Sequence, residues 1–171
     1  MTGQFDSVSN AARAIQEAAR KTFGPPEEGL FSSAQLVLPF SVVRKTRGYI
    51  ETVINQVNGC YENGWFDACA VMMRRSLETL IIEVYEEHKI SDKIMNSNGE
   101  FLYLGELIGH MLNETAWNLG RNVKVALPRL KDIGDKSAHS RRFNAHRKDI
   151  DNLRDDFRIV IQELVYLAHF K

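Results

Sequence analysis

The stretch FDACAVMMRRSLETLIIEV, residues 66–84, decides the fold. Phe66, Cys69, Ala70, Met73, Leu77, Leu80, Ile81 and Val84 recur at the three-and-four spacing of a single helical face. At about 100° per residue the opposite side carries Met72, Thr79 and Ile82 around Arg75. A helix apolar on two sides belongs at the centre of a bundle, or beneath a second subunit. An arginine amid apolar neighbours is costly without a partner, so Arg75 is expected to meet a carboxylate such as Asp132 or Asp135, a carbonyl, or an anionic ligand.

Working outward, further segments repeat the helical period. Val43, Ile50, Val53, Ile54 and Val57 predict a helix over 42–57, with Asn58-Gly59 suited to its C-terminal cap. Residues 101–112 predict another. Trp117, Leu119, Val123, Ala126, Leu127, Leu130 and Ile133 predict a fourth, ending near Ser140 and kinked or restarted at Pro128. From Lys148 onward, Ile150, Leu153, Phe157, Val160, Ile161, Leu164, Leu167 and Ala168 form a final stripe. A short N-terminal helix over 9–23 stops at Gly24-Pro25-Pro26, and 27–39 is an irregular arm whose Leu36-Val37-Leu38 could bind a partner. With no alternating strand and no repeat, the class is all-α: about five mostly antiparallel helices over 41–171, preceded over 1–40 by the short helix and the arm.

Composition agrees with one globular domain: 171 residues, 44% hydrophobic, 26% charged and 4 prolines. Neither a signal peptide nor a membrane span is visible, and Cys60 and Cys69 suit reduced thiols, so a cytoplasmic protein is expected. The formal net charge is zero, which excludes binding nucleic acid through the overall field. Local charge differs: Arg121, Lys124, Arg129, Lys131, Lys136, Arg141, Arg142, Arg147 and Lys148 face only Asp132 and Asp135 between 121 and 148.

Phosphate loops, nucleophile elbows and paired metal ligands are missing from the sequence, so neither metal nor cofactor is expected. The titratable cluster is LKDIGDKSAH, residues 130–139. Asp135 and His139 stand four apart on a helix and Asp132 seven, so a carboxylate could orient the imidazole for acid–base work. The plainer alternative is a helix-terminal histidine complementing the helix dipole.

Residues 61–78, YENGWFDACAVMMRRSLE, followed by 130–139 and an apolar last helix, resemble a domain-of-unknown-function branch of the HEPN superfamily. There an alanine-rich helix runs into Arg-x-x-Leu-Glu, approximated here by Arg75, Leu77 and Glu78, and a later helix ends in a Gly-Asn-x-x-Ala-His-like motif. Gly134-Asp135-Lys136-Ser137-Ala138-His139 is similar, with aspartate replacing asparagine. The resemblance spans about residues 42–170. It implies a helical bundle that often dimerises and occurs in bacterial defence and toxin systems. Active members cleave RNA without metal, using an arginine followed after four to six residues by a histidine. Counting back from His139, those positions hold Gly134, Ile133 and Asp132, so the resemblance implies a degenerate site. Arg141 and His146 satisfy the spacing as a secondary pair.

The leading expectation is a homodimeric HEPN-like domain binding RNA or a nucleotide, with the anion near Arg75, Glu78, Lys131, Lys136, His139 and Arg142. One alternative is a metal-independent ribonuclease with His139 and Asp135 at the reaction centre. The other is a protein-interaction module without ligand.

Overall fold

The computed structural model describes residues 11, 13–15, 17–18 and 36–171. Five α-helices carry the body: α1 Gly48–Glu62, α2 Phe66–Glu87, α3 Leu104–Asn113, α4 Arg121–His139 and α5 Arg147–Leu167. Short 3-10 turns lie at Phe40–Val42 and Ser91–Ile94. The described positions between 11 and 18 are helical and exposed. Among the described residues no helix is long and apolar enough to cross a membrane.

The two-sided pattern of residues 66–84 has a direct outcome: α2 packs against all four other α-helices. Cys69, Ala70, Met73, Leu77, Leu80, Ile81 and Val84 are buried. Contacts set the directions. Cys69 Sγ reaches Val57 O and Tyr49 reaches Glu83, so α1 and α2 form an antiparallel hairpin. Gly134 abuts Ala70 and Arg74, while Trp117 packs edge-on against Tyr85 at 5.0 Å, so α4 runs antiparallel to α2. Arg129–Asp156 and Gly120–Glu163 contacts make α4 and α5 a second antiparallel pair. The all-α bundle read from the sequence is therefore the fold.

Several local expectations are corrected. Asn58-Gly59 does not cap α1 but lies buried within it, and the helix ends at Asn63 followed by Gly64 at φ +77°, a left-handed position that suits glycine. Asn58 is used elsewhere: its Oδ1 accepts from Leu38 N (3.0 Å) and its Nδ2 donates to Leu38 O (2.9 Å). Arg158 donates to Val37 O and Leu36 O. Two side chains thus satisfy an arm that pairs with no strand among the described residues, and Val37 and Leu38 enter the core fully buried. That burial removes both from any partner-binding arm. Residues 27–35 of the expected arm lie outside the described residues.

Trp117 and Leu119 precede α4 rather than begin it, because Gly120 is the N-cap and its N–H donates to Glu163 (2.6 Å). Pro128 does not interrupt α4. Pro128 and Lys124, whose carbonyl loses a donor, are both exposed, so water can satisfy the freed group. The expected helix over 101–112 begins later, at Leu104, after Met95 and Phe101 form an isolated antiparallel bridge.

Candidate nucleic-acid interface

Gly134 governs the junction of α2 with α4. A β-carbon there would lie 2.5 Å from Arg74 Cβ and 3.1 Å from Ala70 O, so only glycine allows the backbones this close. The approach brings the Arg74 guanidinium onto Asp135, Nε to Oδ1 at 2.6 Å, and Arg74 also lies 3.6 Å from Glu78. Lys131, one turn before Asp135, donates to its other oxygen. Four charges therefore close on one another across the two helices. Burial pushes the Asp135 carboxyl up, but hydrogen bonds from Lys131 and Arg74, with their charges, outweigh it and hold the pKa below the usual carboxylate range. Asp135 is an ionised acceptor, not a proton donor, at neutral pH.

This geometry corrects the arginine assignment. Arg74, not Arg75, meets the carboxylate, because Arg74 faces the α2–α4 seam and Arg75, about 100° further round, is exposed. Met72, Thr79 and Ile82 beside Arg75 are half-buried. Glu78 belongs to the ion-pair cluster, as does Lys131, and Lys136 pairs with Asp132 at 2.6 Å. Both carboxylates expected to orient His139 are thus engaged by other cations. Among the described residues neither hydrogen-bonds the imidazole, which stands exposed at the last position of α4.

Past His139 the chain turns through Ser140 into an exposed loop carrying Arg141 and Arg142. The loop is pinned where Ala145 N donates to Asp67 Oδ1 in the first turn of α2 (2.9 Å). Residues 135–144 therefore lie between two anchors on the first half of α2, Gly134 against Ala70 and Arg74, and Ala145 against Asp67. His146 is the N-cap of α5, where Asp149 accepts its backbone N–H at 2.8 Å. Among the described residues no hydrogen bond joins His146 to Arg141.

The cations of α2 and of residues 121–148 other than Arg121, Lys124 and Arg147 divide into two groups. Arg74, Arg129, Lys131 and Lys136 are neutralised by carboxylates within 2.6 Å. Arg75, Arg141, Arg142 and Lys148 are exposed and have no ion pair among the described residues. Sequence reading gave the carboxylate pairing to Arg75 rather than to its neighbour Arg74, and assigned no separate role to Asp67 or Arg147. Arg147 places its guanidinium 4.8 Å from the Tyr61 ring centroid and 5.4 Å from that of Phe66. The one local signal for the Arg74 contact was Gly134, a poor helix former in the middle of a strong helical period.

Among the described residues no group of three or more His, Cys, Asp or Glu side chains is placed to hold a metal ion. Comparison with known proteins found no matching family model, no matching curated protein and no matching solved structure.

Proposed function

We propose that this chain is a HEPN-like helical domain that binds RNA, or a nucleotide offering the same phosphate chemistry, without cleaving it. One observation carries the reading. In a protein of zero formal net charge, four unneutralised cations, Arg75, Arg141, Arg142 and Lys148, are exposed on α2, on the loop that follows His139, and at the start of α5. Cations left without carboxylates are free to exchange counterions for phosphates. Guanidinium groups add bidentate geometry suited to phosphate oxygens.

The partners of Asp135 support the non-cleaving part of this reading. An acid–base histidine needs its ring oriented and its proton exchange tuned. Asp135 is committed to Arg74 and Lys131, and no arginine stands four to six residues before His139. The homodimer implied by the resemblance belongs to the same proposal. Val125, Ile159 and Tyr166, exposed on α4 and α5, are apolar groups available to it.

The test is incubation of the protein with labelled mixed-sequence RNA in the presence of a chelator, following retention and cleavage across a salt series. Retention without cleavage is expected. The slope of log affinity against log salt should flatten by about 0.7 for each of Arg141→Ala and Arg142→Ala. Cleavage that disappears in His139→Ala would overturn the non-catalytic reading and make His139 the acid–base group. A wild type that retains no RNA at low salt would sink RNA binding altogether and favour a protein-interaction module.

A further inference from the structure

We propose that the N-terminal helix of residues 9–23 folds back onto the outer face of α5 in the same chain. Two apolar surfaces point to it. On α5, Asp155, Ile159, Gln162 and Tyr166 follow one another at three- and four-residue steps and form one stripe. All four are exposed, Tyr166 at 69% and Ile159 at 39%. Among the large apolar residues exposed on the described part of the chain, Ile159 and Tyr166 are the pair that share a helix. Two surface depressions meet there, both lined by Gln162 and Tyr166. One extends to Val42 and Val165, the other to Ile159 and Leu167. The second surface belongs to the N-terminal helix, where Ala11, Ala12, Ile15, Ala18, Ala19 and Phe23 fall on one side of the period. Its described positions are helical, and Ile15 is 70% exposed.

Spacing, chain length and charge select this occupant. Ile15 and Phe23 would stand about 12 Å apart along a helix axis, and Ile159 and Tyr166 about 10 Å, so the two pairs can meet across one contact. The alanines between them let the backbones approach closely. Leu36, where the described body begins, gives its carbonyl to Arg158, the residue before Ile159. Residues 24–35 link it to Phe23 and reach about 40 Å when extended, against about 30 Å for the whole of α5. Such a tether holds the helix at roughly millimolar effective concentration, which a free second copy does not match. Residues 9–23 carry Arg13, Arg20 and Lys21 against Glu17 alone. The α5 side offers the opposite sign: Asp155 comes no closer than 3.9 Å to Arg158, and Glu163 has no ion pair among the described residues. Docking covers Ile159 and Tyr166 and leaves Val125 for contact between copies.

Crosslinking of the full chain gives the test. Ala18→Cys combined with Gln162→Cys puts a thiol in each stripe and keeps Ile15, Phe23, Ile159 and Tyr166, while the native Cys60 and Cys69 are buried. A short bismaleimide should join the new pair within one chain, giving a product of monomer mass. Ala18→Cys with Tyr103→Cys is the control, because Tyr103 is exposed ahead of α3, which packs on α2 and α4. That pair should react at least roughly tenfold more slowly, its effective concentration being lower. In a second measurement, trypsin cuts the otherwise unaltered chain after Arg13, Arg20 and Lys21. Ile159→Ser with Tyr166→Ser should speed those cuts roughly tenfold or more, since cleavage tracks the undocked population. Both replaced side chains are exposed, so the Tm of the body should hold. A crosslinked product of dimer mass would overturn docking within the chain and assign the α5 face to a second copy. Crosslinking no faster than in the Tyr103 pair, or trypsin rates unmoved by the α5 substitutions, would overturn docking altogether.

Discussion

Replacing Gly134 by alanine pits two effects of known sign against each other. Alanine is about 1 kcal/mol better than glycine inside a helix, so propensity alone makes Gly134→Ala stabilising. The new β-carbon would lie 2.5 Å from Arg74 Cβ and 3.1 Å from Ala70 O, where carbon contacts prefer roughly 3.5–4.0 Å. Both obstacles are fixed by the α2 backbone, so no rotamer change relieves them and the helices must separate. Overpacking of this kind costs about 1–3 kcal/mol, here near the upper end. The net is a loss of about 2 kcal/mol, or roughly 4–8 °C in Tm for a domain of this length. Arg74→Ala should not rescue the variant, because it retains the obstructing β-carbon. Gly109 in α3 is the control: nothing lies within 4 Å of its would-be β-carbon, so Gly109→Ala should stabilise by about 0.5–1 kcal/mol. Urea denaturation followed by far-UV circular dichroism measures both. A Gly134→Ala protein as stable as Gly109→Ala would refute the close α2–α4 approach and, with it, the account of Asp135.

Three other outcomes follow from the same contacts. Asn58→Ala leaves the buried Leu38 N–H and C=O without partners and should cost about 2–4 kcal/mol in urea midpoint analysis, with new protease cleavage near residues 36–40. Because the native pKa of Asp135 is depressed, its contribution to stability is present above the unfolded carboxylate pKa, about 4, and is lost as pH falls through the native value; Asp135→Asn should flatten acid unfolding below about pH 4. Burial pushes the thiol pKa of Cys60 up and that of Cys69 further still, so both should resist alkylation in the native protein and react on unfolding, as mass spectrometry would record.

The basic stretch and the position of His139 at a helix end were legible in the sequence, because both are properties of a short segment. The charge state of that stretch was not. Lys131 and Lys136 read as ligand-binding cations until Asp135 and Asp132 are seen to neutralise them, each one helical turn away. That pairing is local, and a reading alert to four-residue spacing between opposite charges would have found it. Arg74 with Asp135, 61 residues apart, left no local trace beyond Gly134.

By itself, then, the sequence determined the number, order and approximate extent of the helices and the central place of residues 66–84. A helix writes its buried stripe into its own chain at a period of about 3.6 residues. Only the tertiary structure decided that Arg74 and not Arg75 meets a carboxylate, that Asn58 clamps the Leu38 backbone rather than capping α1, and that Trp65 is left outside the core. Those outcomes depend on the rotation of each helix about its axis and on how closely neighbours approach. A single residue step turns a side chain through about 100°, so the axial rotation of α2 against α4, set by every contact along the seam and opened to close approach at Gly134, chooses between adjacent arginines.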